Sequence, residues 1–184
     1  RVTNAVIAPN LVNDLRLNAQ SLGILSGAFF YSFALMQIVM GVLLDRIGPR
    51  RVMAFFALVG ASGAIIFGIS HTLLGAFVGR VLLGMGMACA LMGSLKVFVL
   101  RFSPQQFSTL SGTFISVGTL GSIAATSPLA YLTVTIGWRA TFLWAGLITA
   151  ALSLLIFSIL KDGPGHTKND APDHYDPPER IPLG

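Results

Sequence analysis

Residues 41–52, Gly41-Val42-Leu43-Leu44-Asp45-Arg46-Ile47-Gly48-Pro49-Arg50-Arg51-Val52, decide how the rest of the sequence is interpreted. One acid and three arginines are crowded into this stretch, and long uncharged sequence lies on both sides of it. Charged side chains are costly inside a lipid bilayer and are easily tolerated just outside it. The stretch is therefore typical of a short loop that joins two membrane-spanning helices.

The sequence around this loop is apolar enough to cross a membrane several times. Hydrophobic residues make up 54% of the 184 residues and charged residues only 10%, compared with about 25% charged residues in a soluble domain. Four uncharged runs each reach the roughly 20 residues that a membrane-spanning helix needs. They cover residues 17–44, 52–79, 102–138 and 140–160. The single Cys89 excludes an internal disulfide.

The sequence predicts an all-α integral membrane protein with six transmembrane helices. The predicted helices cover residues 1–12, 20–44, 51–69, 73–100, 108–134 and 138–160. Because the sequence opens with Arg1 inside the first of them, we expect that helix to be truncated. Residues 1–161 form the predicted N-terminal transmembrane bundle. Residues 162–184 are rich in Pro, Asp, His and Gly and form a predicted cytoplasmic linker toward a missing C-terminal bundle.

Basic residues predict which side of the membrane each loop faces. The loops after the second, fourth and sixth segments, with their flanking ends, carry Arg46, Arg50, Arg51, Lys96, Arg101, Lys161, Lys168 and Arg180. The opposite loops carry only Arg16 and Arg139. Cytoplasmic loops carry an excess of Lys and Arg, so the Asp45 loop and the C-terminal linker are predicted to be cytoplasmic. We expect a multi-pass protein of the bacterial inner membrane.

Spaced glycines predict where helices pack closely. The candidates are Gly23-x-x-x-Gly27, Gly75-x-x-x-Gly79, Gly84 and Gly86. Such spacing lets two helix backbones approach each other in lipid. The alternative is that apolar helices simply contain many glycines.

The opening stretch resembles the signature loop of the major facilitator superfamily, a family of membrane transporters. The matching positions are Gly41, Asp45, Arg46, Gly48, Arg50 and Arg51, and Pro49 stands where many members have a basic residue. The spacing Arg80-x-x-x-Gly84-x-Gly86 is similar to the family's fourth-helix motif, with Leu83 where a polar residue is usual. The resemblance covers the whole membrane portion. It implies the N-terminal six-helix bundle of a twelve-helix fold.

For the loop, the resemblance implies that Asp45 and the arginines form a cytoplasmic gate latch against the missing C-terminal half. Gln37, Gly41 and Asp45 lie on one helical face, which brings the carboxylate to the end of the second segment. There it can meet the positive N-terminus of another helix. The excess of Lys and Arg in cytoplasmic loops does not account for an acidic residue, which favours the latch for Asp45. The same excess accounts for Arg51 without a latch.

Two arginines, Arg1 and Arg80, lie inside predicted membrane segments, where charges are functional candidates by default. The segments contain no Asp or Glu, so a partner must come from the missing half or be an anion. The spacing Arg1-x-x-Asn4 resembles the first helix of organophosphate–phosphate antiporters, in which an arginine contacts the substrate phosphate. The alternatives are a cut terminus without meaning for Arg1 and a side chain that reaches the outer interface for Arg80.

Tyr31 and Gln37 join Arg1, Asn4 and Arg80 as predicted substrate-binding residues, because polar groups near the midplane line transporter cavities. They could equally form hydrogen bonds between helices. Lys96, near the end of the fourth segment, is expected to extend to the interface.

The sequence therefore predicts a secondary active transporter, not an enzyme, that moves a small organic anion by alternating access. The predicted partners are this substrate, a coupling ion, the lipid bilayer and the missing C-terminal half, with no cofactor, no metal and no nucleic acid. One alternative is a multidrug or metabolite efflux permease. The other is a transporter-like sensor or scaffold that does not transport.

Overall fold

The computed structural model describes residues 11, 12, 14 and 18–159. The helices within residues 18–159 are α1 (Ala19–Ile47), α2 (Pro49–Ile69), α3 (Leu73–Arg101), α4 (Pro104–Ala124), α5 (Thr126–Thr135) and α6 (Gly137–Ile159). With α4 and α5 taken as one span, five spans in this range are long and apolar enough to cross a membrane. The predicted all-α architecture is confirmed here. The first predicted segment lies almost wholly outside the described residues, as does the linker, so the sixth transmembrane helix stays a prediction.

Capping and turn residues explain where the helices begin. Gly48 separates α1 from α2 and has a φ of 91°, a left-handed conformation that glycine adopts without strain. Pro49 then occupies the first turn of α2, where its missing N–H would have no partner in any case. At the start of α4, Ser103 and Gln106 form a reciprocal capping box, which satisfies backbone donors at the helix start. For this reason α4 begins at Pro104, four residues before the predicted position.

The fifth predicted segment, residues 108–134, is interrupted. Helix α4 ends at Ala124, and α5 begins at Thr126. Pro128 has no N–H to donate to the carbonyl of Ala124, four residues earlier, and its ring crowds that carbonyl. The expected continuous helix is therefore two helices joined at Ala125.

Helix α2 is the central element, and it packs antiparallel against α6 along a seam that repeats every seven residues. The Ser153 hydroxyl donates to the carbonyl of Ala54 at 2.7 Å. Seven residues further along α2, a Cβ placed on Gly146 would lie 3.0 Å from the carbonyl of Ala61. Seven residues further again, a Cβ on Gly68 would lie 3.0 Å from the carbonyl of Arg139. A seven-residue repeat keeps one face of each helix toward its partner.

Both ends of this seam are tied by arginines. At the end that carries Asp45, Arg50 Nε donates to the carbonyl of Phe157 at 2.8 Å, and its guanidinium lies 4.4 Å from the centre of the Phe157 ring. At the opposite end, Arg139 Nη1 donates to the carbonyl of Ser70. Arginines near a helix C-terminus stabilise carbonyls that have no partner within the helix.

Glycines also bring α2 against α3, but only some of the predicted ones are involved. A Cβ on Gly86 would lie 2.6 Å from the backbone nitrogen of Gly60, and a Cβ on Gly79 would lie 2.9 Å from the carbonyl of Gly63. The predicted Gly23 and Gly27 make no such approach: a Cβ on Gly23 would meet nothing within 4 Å, and one on Gly27 only the Tyr31 ring of its own helix. Their spacing matches the pattern, but no helix within residues 18–159 packs closely against their face of α1.

Helix α4 is the most exposed long helix, and none of its residues is buried. Large apolar side chains along it are exposed, among them Ile115, Val117 and Leu120. Apolar surface of this kind is stable in contact with lipid or with another part of a membrane protein.

Candidate functional site

Arg80 is the one predicted site residue that the structure buries deeply, with 6% of its surface exposed. It lies in the second turn of α3, roughly 10 Å along the axis from Leu73 at 1.5 Å per residue. The side chain lies between α2 and α6, where its guanidinium contacts the rings of Phe67 and Phe142.

Aromatic rings, not acids, surround the guanidinium. Its central carbon lies 4.4 Å from the centre of the Phe67 ring and 5.9 Å from the centre of the Phe142 ring. Nε of Arg80 is buried without a hydrogen-bond partner. In the described part of the chain no carboxylate pairs with it, because Asp45 contacts Lys96 and Asp14 contacts Arg139. A buried charge with no counter-charge is costly, so a partner of opposite charge would gain much by binding there.

A cavity of about 510 Å³ adjoins Arg80. Its wall is mostly apolar, with a few polar groups, as is common for small-molecule sites. The polar lining residues are Arg80, Ser122, Thr141 and Thr149. The three hydroxyl residues were not predicted from the sequence, since Ser and Thr are common in membrane helices and no spacing distinguishes these three from the others.

Tyr31 and Gln37, which were also predicted to bind substrate, do not line this cavity. Tyr31 is 75% exposed and lines a separate groove between α1 and α3, together with Phe77 and Val81. Gln37 is partly buried and lines neither the cavity nor this groove. Arg1 and Asn4 lie outside the described residues. The geometry therefore assigns Arg80 to the cavity and leaves Tyr31 and Gln37 apart from it.

At the opposite end of the bundle, Asp45 has a partner within the described chain. Its Oδ1 lies 2.7 Å from Nζ of Lys96 on α3. We expected Lys96 only to extend to the interface and expected Asp45 to find its partner in the missing half. The two residues end their helices on the same side of the membrane with opposite charges, and this signal could have identified the pair from the sequence.

The remaining loop residues fall into different environments. Arg46 and Arg51 are exposed, whereas Arg50 holds the end of α6 through Phe157. A Cβ on Gly41 would meet nothing within 4 Å, so packing among the described residues does not account for glycine there. Gly48 is explained by its positive φ. Within the described residues, the loop thus contains the Asp45–Lys96 ion pair, the Arg50–Phe157 contact and the exposed residues Arg46 and Arg51.

The Asp45–Lys96 pair is expected to contribute little to stability. The Asp45 side chain is 63% exposed and the Lys96 side chain 34%, and exposed ion pairs contribute about 0.2–1 kcal/mol. A double-mutant cycle with Asp45→Asn and Lys96→Gln, read as unfolding free energy, should give a coupling in this range that weakens with added salt. The cycle of Asp45→Asn with Arg51→Gln is the control and should show less. A coupling above about 2 kcal/mol would contradict an exposed pair.

Comparison with known proteins identifies the family. The sequence profile described as Major Facilitator Superfamily matches residues 1–182. The chain belongs to the major facilitator superfamily. Like the other members of this transporter family, this major facilitator chain is an integral, multi-pass membrane protein, and it is a transporter-family protein rather than an enzyme.

Several curated transporters are similar to this major facilitator chain. The probable sulfoacetate transporter SauU of Cupriavidus necator is 27% identical over 164 residues, which are 89% of this chain and 38% of that protein. The hexuronate transporter of Bacillus subtilis is 26% identical, over 97% of this chain and 43% of its own length. The probable L-galactonate transporter of Escherichia coli is 28% identical, over 77% and 31%. The chain thus spans less than half the length of each of these relatives.

Proposed function

We propose that the protein containing this chain is a secondary active transporter of small organic anions. Arg80 carries the proposal: it is a buried cation, it adjoins a cavity of about 510 Å³, and it has no counter-charge among the described residues. A carboxylate or a sulfonate would compensate this charge and accept its N–H donors. Transport would proceed by alternating access between two six-helix halves in the inner membrane, with residues 1–161 as the N-terminal half and residues 162–184 as the linker.

The chemistry named for the relatives supports the same substrate class. Sulfoacetate, hexuronate, galactarate, D-glucarate and L-galactonate, the compounds in the relatives' names, are all organic acids. They differ in size and in hydroxyl groups but share at least one strongly anionic group. We therefore propose a carboxylate or a sulfonate as the group that contacts Arg80, with Arg1 and Asn4 as further candidates. Tyr31 and Gln37 would then contribute only from a different conformation or through the C-terminal half.

We also propose that the loop around Asp45 is a gate element on the cytoplasmic side. Asp45, Arg46 and Arg51 have exposed side chains on one edge of the bundle, and Gly41 presents open space beside them. A helix of the other half could approach this edge closely. The Lys96 contact is exposed and easily exchanged, so Asp45 could change partner during a transport cycle.

The first experiment measures ligand binding to the full-length protein. We expect sulfoacetate, glucuronate or galactarate to raise its melting temperature, whereas neutral sugars and quaternary ammonium compounds should not. A ligand at 100 times its Kd adds about 2.7 kcal/mol of stability, which a melting scan resolves. Uptake of the same anion into proteoliposomes would establish transport. Stabilisation by lipophilic cations alone would favour the efflux permease, and anion binding without uptake would favour the sensor.

A further inference from the structure

The residue just before Arg80 allows an aromatic ring to lie on the arginine. A Cβ on Gly79 would lie 2.8 Å from both the Cβ and the backbone nitrogen of Phe67. Only glycine permits this approach of α3 to α2. With α3 so close, the Phe67 ring covers the guanidinium at 4.4 Å.

Phe67 itself is held firmly in place. It is 0% exposed, and its ring centre lies 4.7 Å from that of Phe142 and 5.5 Å from that of Trp138. Trp138 is fixed in turn, since its Nε1 donates to Asp14 Oδ2 at 2.8 Å. The two ring pairs are tilted, with interplanar angles of 60° to Trp138 and 56° to Phe142, and rings packed on two sides in this way have little freedom to rotate or shift. The ring therefore gives the flexible arginine side chain a fixed surface to lie on.

An aromatic partner differs from an acidic one in its effect on a ligand. The π-face attracts a cation through its quadrupole without supplying a negative charge. A carboxylate in the same position would pair with the guanidinium and compete with an anionic substrate. A ring that stacks on the guanidinium leaves the in-plane N–H donors free.

We propose that Phe67 and Phe142 are positioning residues, which hold the Arg80 guanidinium between α2 and α6 with its positive charge uncompensated until an organic anion binds. This inference rests on the proposed function. Phe67 acts more strongly than Phe142, because it is closer to the guanidinium and more deeply buried. Phe142 has the second role of lining the cavity.

The test compares anion affinity in variants of the full-length protein, with the anion that stabilises wild type as the probe. Phe67→Leu keeps an apolar side chain but removes the ring, and should weaken the Kd about tenfold. Phe142→Leu should weaken it less, because the Phe142 ring centre lies farther from the guanidinium carbon, at 5.9 Å. The matched control is Phe56→Leu: Phe56 is 5% exposed in a separate apolar cluster with Met40 and Cys89. It should lower the melting temperature and leave the Kd unchanged.

A double-mutant cycle separates positioning from general loss of structure. If Phe67 acts through Arg80, Phe67→Leu has no further effect on the Kd in the Arg80→Gln background. Additive effects in this cycle, or a wild-type Kd in Phe67→Leu, would overturn the inference and leave the proposed function standing. Absence of anion binding to wild type would remove the proposed function, and the inference with it.

Discussion

Arg80→Gln should weaken anion binding by a factor of about 30 or more, while the folded protein keeps its stability or gains some. Losing one partner of a buried, hydrogen-bonded charge pair costs about 2–5 kcal/mol of binding free energy. Without a ligand, however, no acid of the described residues pairs with the buried guanidinium, and Nε finds no hydrogen-bond partner among them. Its removal relieves a desolvation cost, so affinity and stability should change in opposite directions.

The measurement is the Kd for the stabilising anion together with the melting temperature without ligand, both on the full-length protein. The affinity of Arg80→Lys should lie between those of Arg80→Gln and wild type, because lysine keeps the charge but loses the guanidinium that lies over the Phe67 ring. Arg139→Gln is the control, for which we expect lower stability and an unchanged Kd. Arg139 donates to the carbonyl of Ser70 and lies near Asp14, so its loss should reduce stability without changing the Kd. An Arg80→Gln protein that melts far earlier yet binds the anion normally would show that Arg80 is a structural residue only.

Gly86→Ala should strongly destabilise the bundle. The added Cβ would lie 2.6 Å from the nitrogen of Gly60 and 2.8 Å from the carbonyl of Phe56. Both contacts are with backbone, so no side chain can rotate away and α2 must separate from α3. Overpacking of this kind costs about 1–3 kcal/mol, occasionally more. The change should appear as a lower melting temperature of the full-length protein in detergent.

The matched control is Gly118→Ala in the middle of α4. A Cβ there would meet nothing within 4 Å, and alanine is favoured over glycine in a helix by up to about 1 kcal/mol. Gly118→Ala should therefore leave the melting temperature unchanged or raise it slightly. Equal destabilisation by Gly86→Ala and Gly118→Ala would indicate that the α2–α3 contact is looser than the structure has it.

The sequence predicted best those features that depend on residues close together along the chain. The charges between Asp45 and Arg51 predicted the loop between α1 and α2, and an arginine among apolar residues identified Arg80 as a candidate. Helix bounds followed from uncharged runs and were close to those observed for α1, α2, α3 and α6. The break at Ala125 was missed because the segment was predicted from its length and lack of charge, and neither shows that Pro128 crowds the carbonyl four residues earlier.

What the sequence could not provide is the rotation of each helix about its axis. Gly23 and Gly27 have the same spacing as Gly75 and Gly79, yet a glycine makes a close helix–helix contact only where its face of the helix packs against a neighbour. The Phe67 ring is likewise one of 13 phenylalanines, and nothing local marks it as the one that covers Arg80. Tyr31 and Gln37 were chosen for polarity alone, and polarity does not show which surface a residue faces.

The seam between α2 and α6 has a consequence for motion. It is joined near both ends by the arginine ties, and about one turn in from the Arg50 end by the hydrogen bond from Ser153 to Ala54. Sliding one helix past the other by a single turn would break all of these together, so the two helices must travel as one strut. Any rearrangement that opens or closes the Arg80 cavity is then carried by the elements that pack around this strut. Helices α2 and α6 thus form a rigid unit, and the other helices move relative to it.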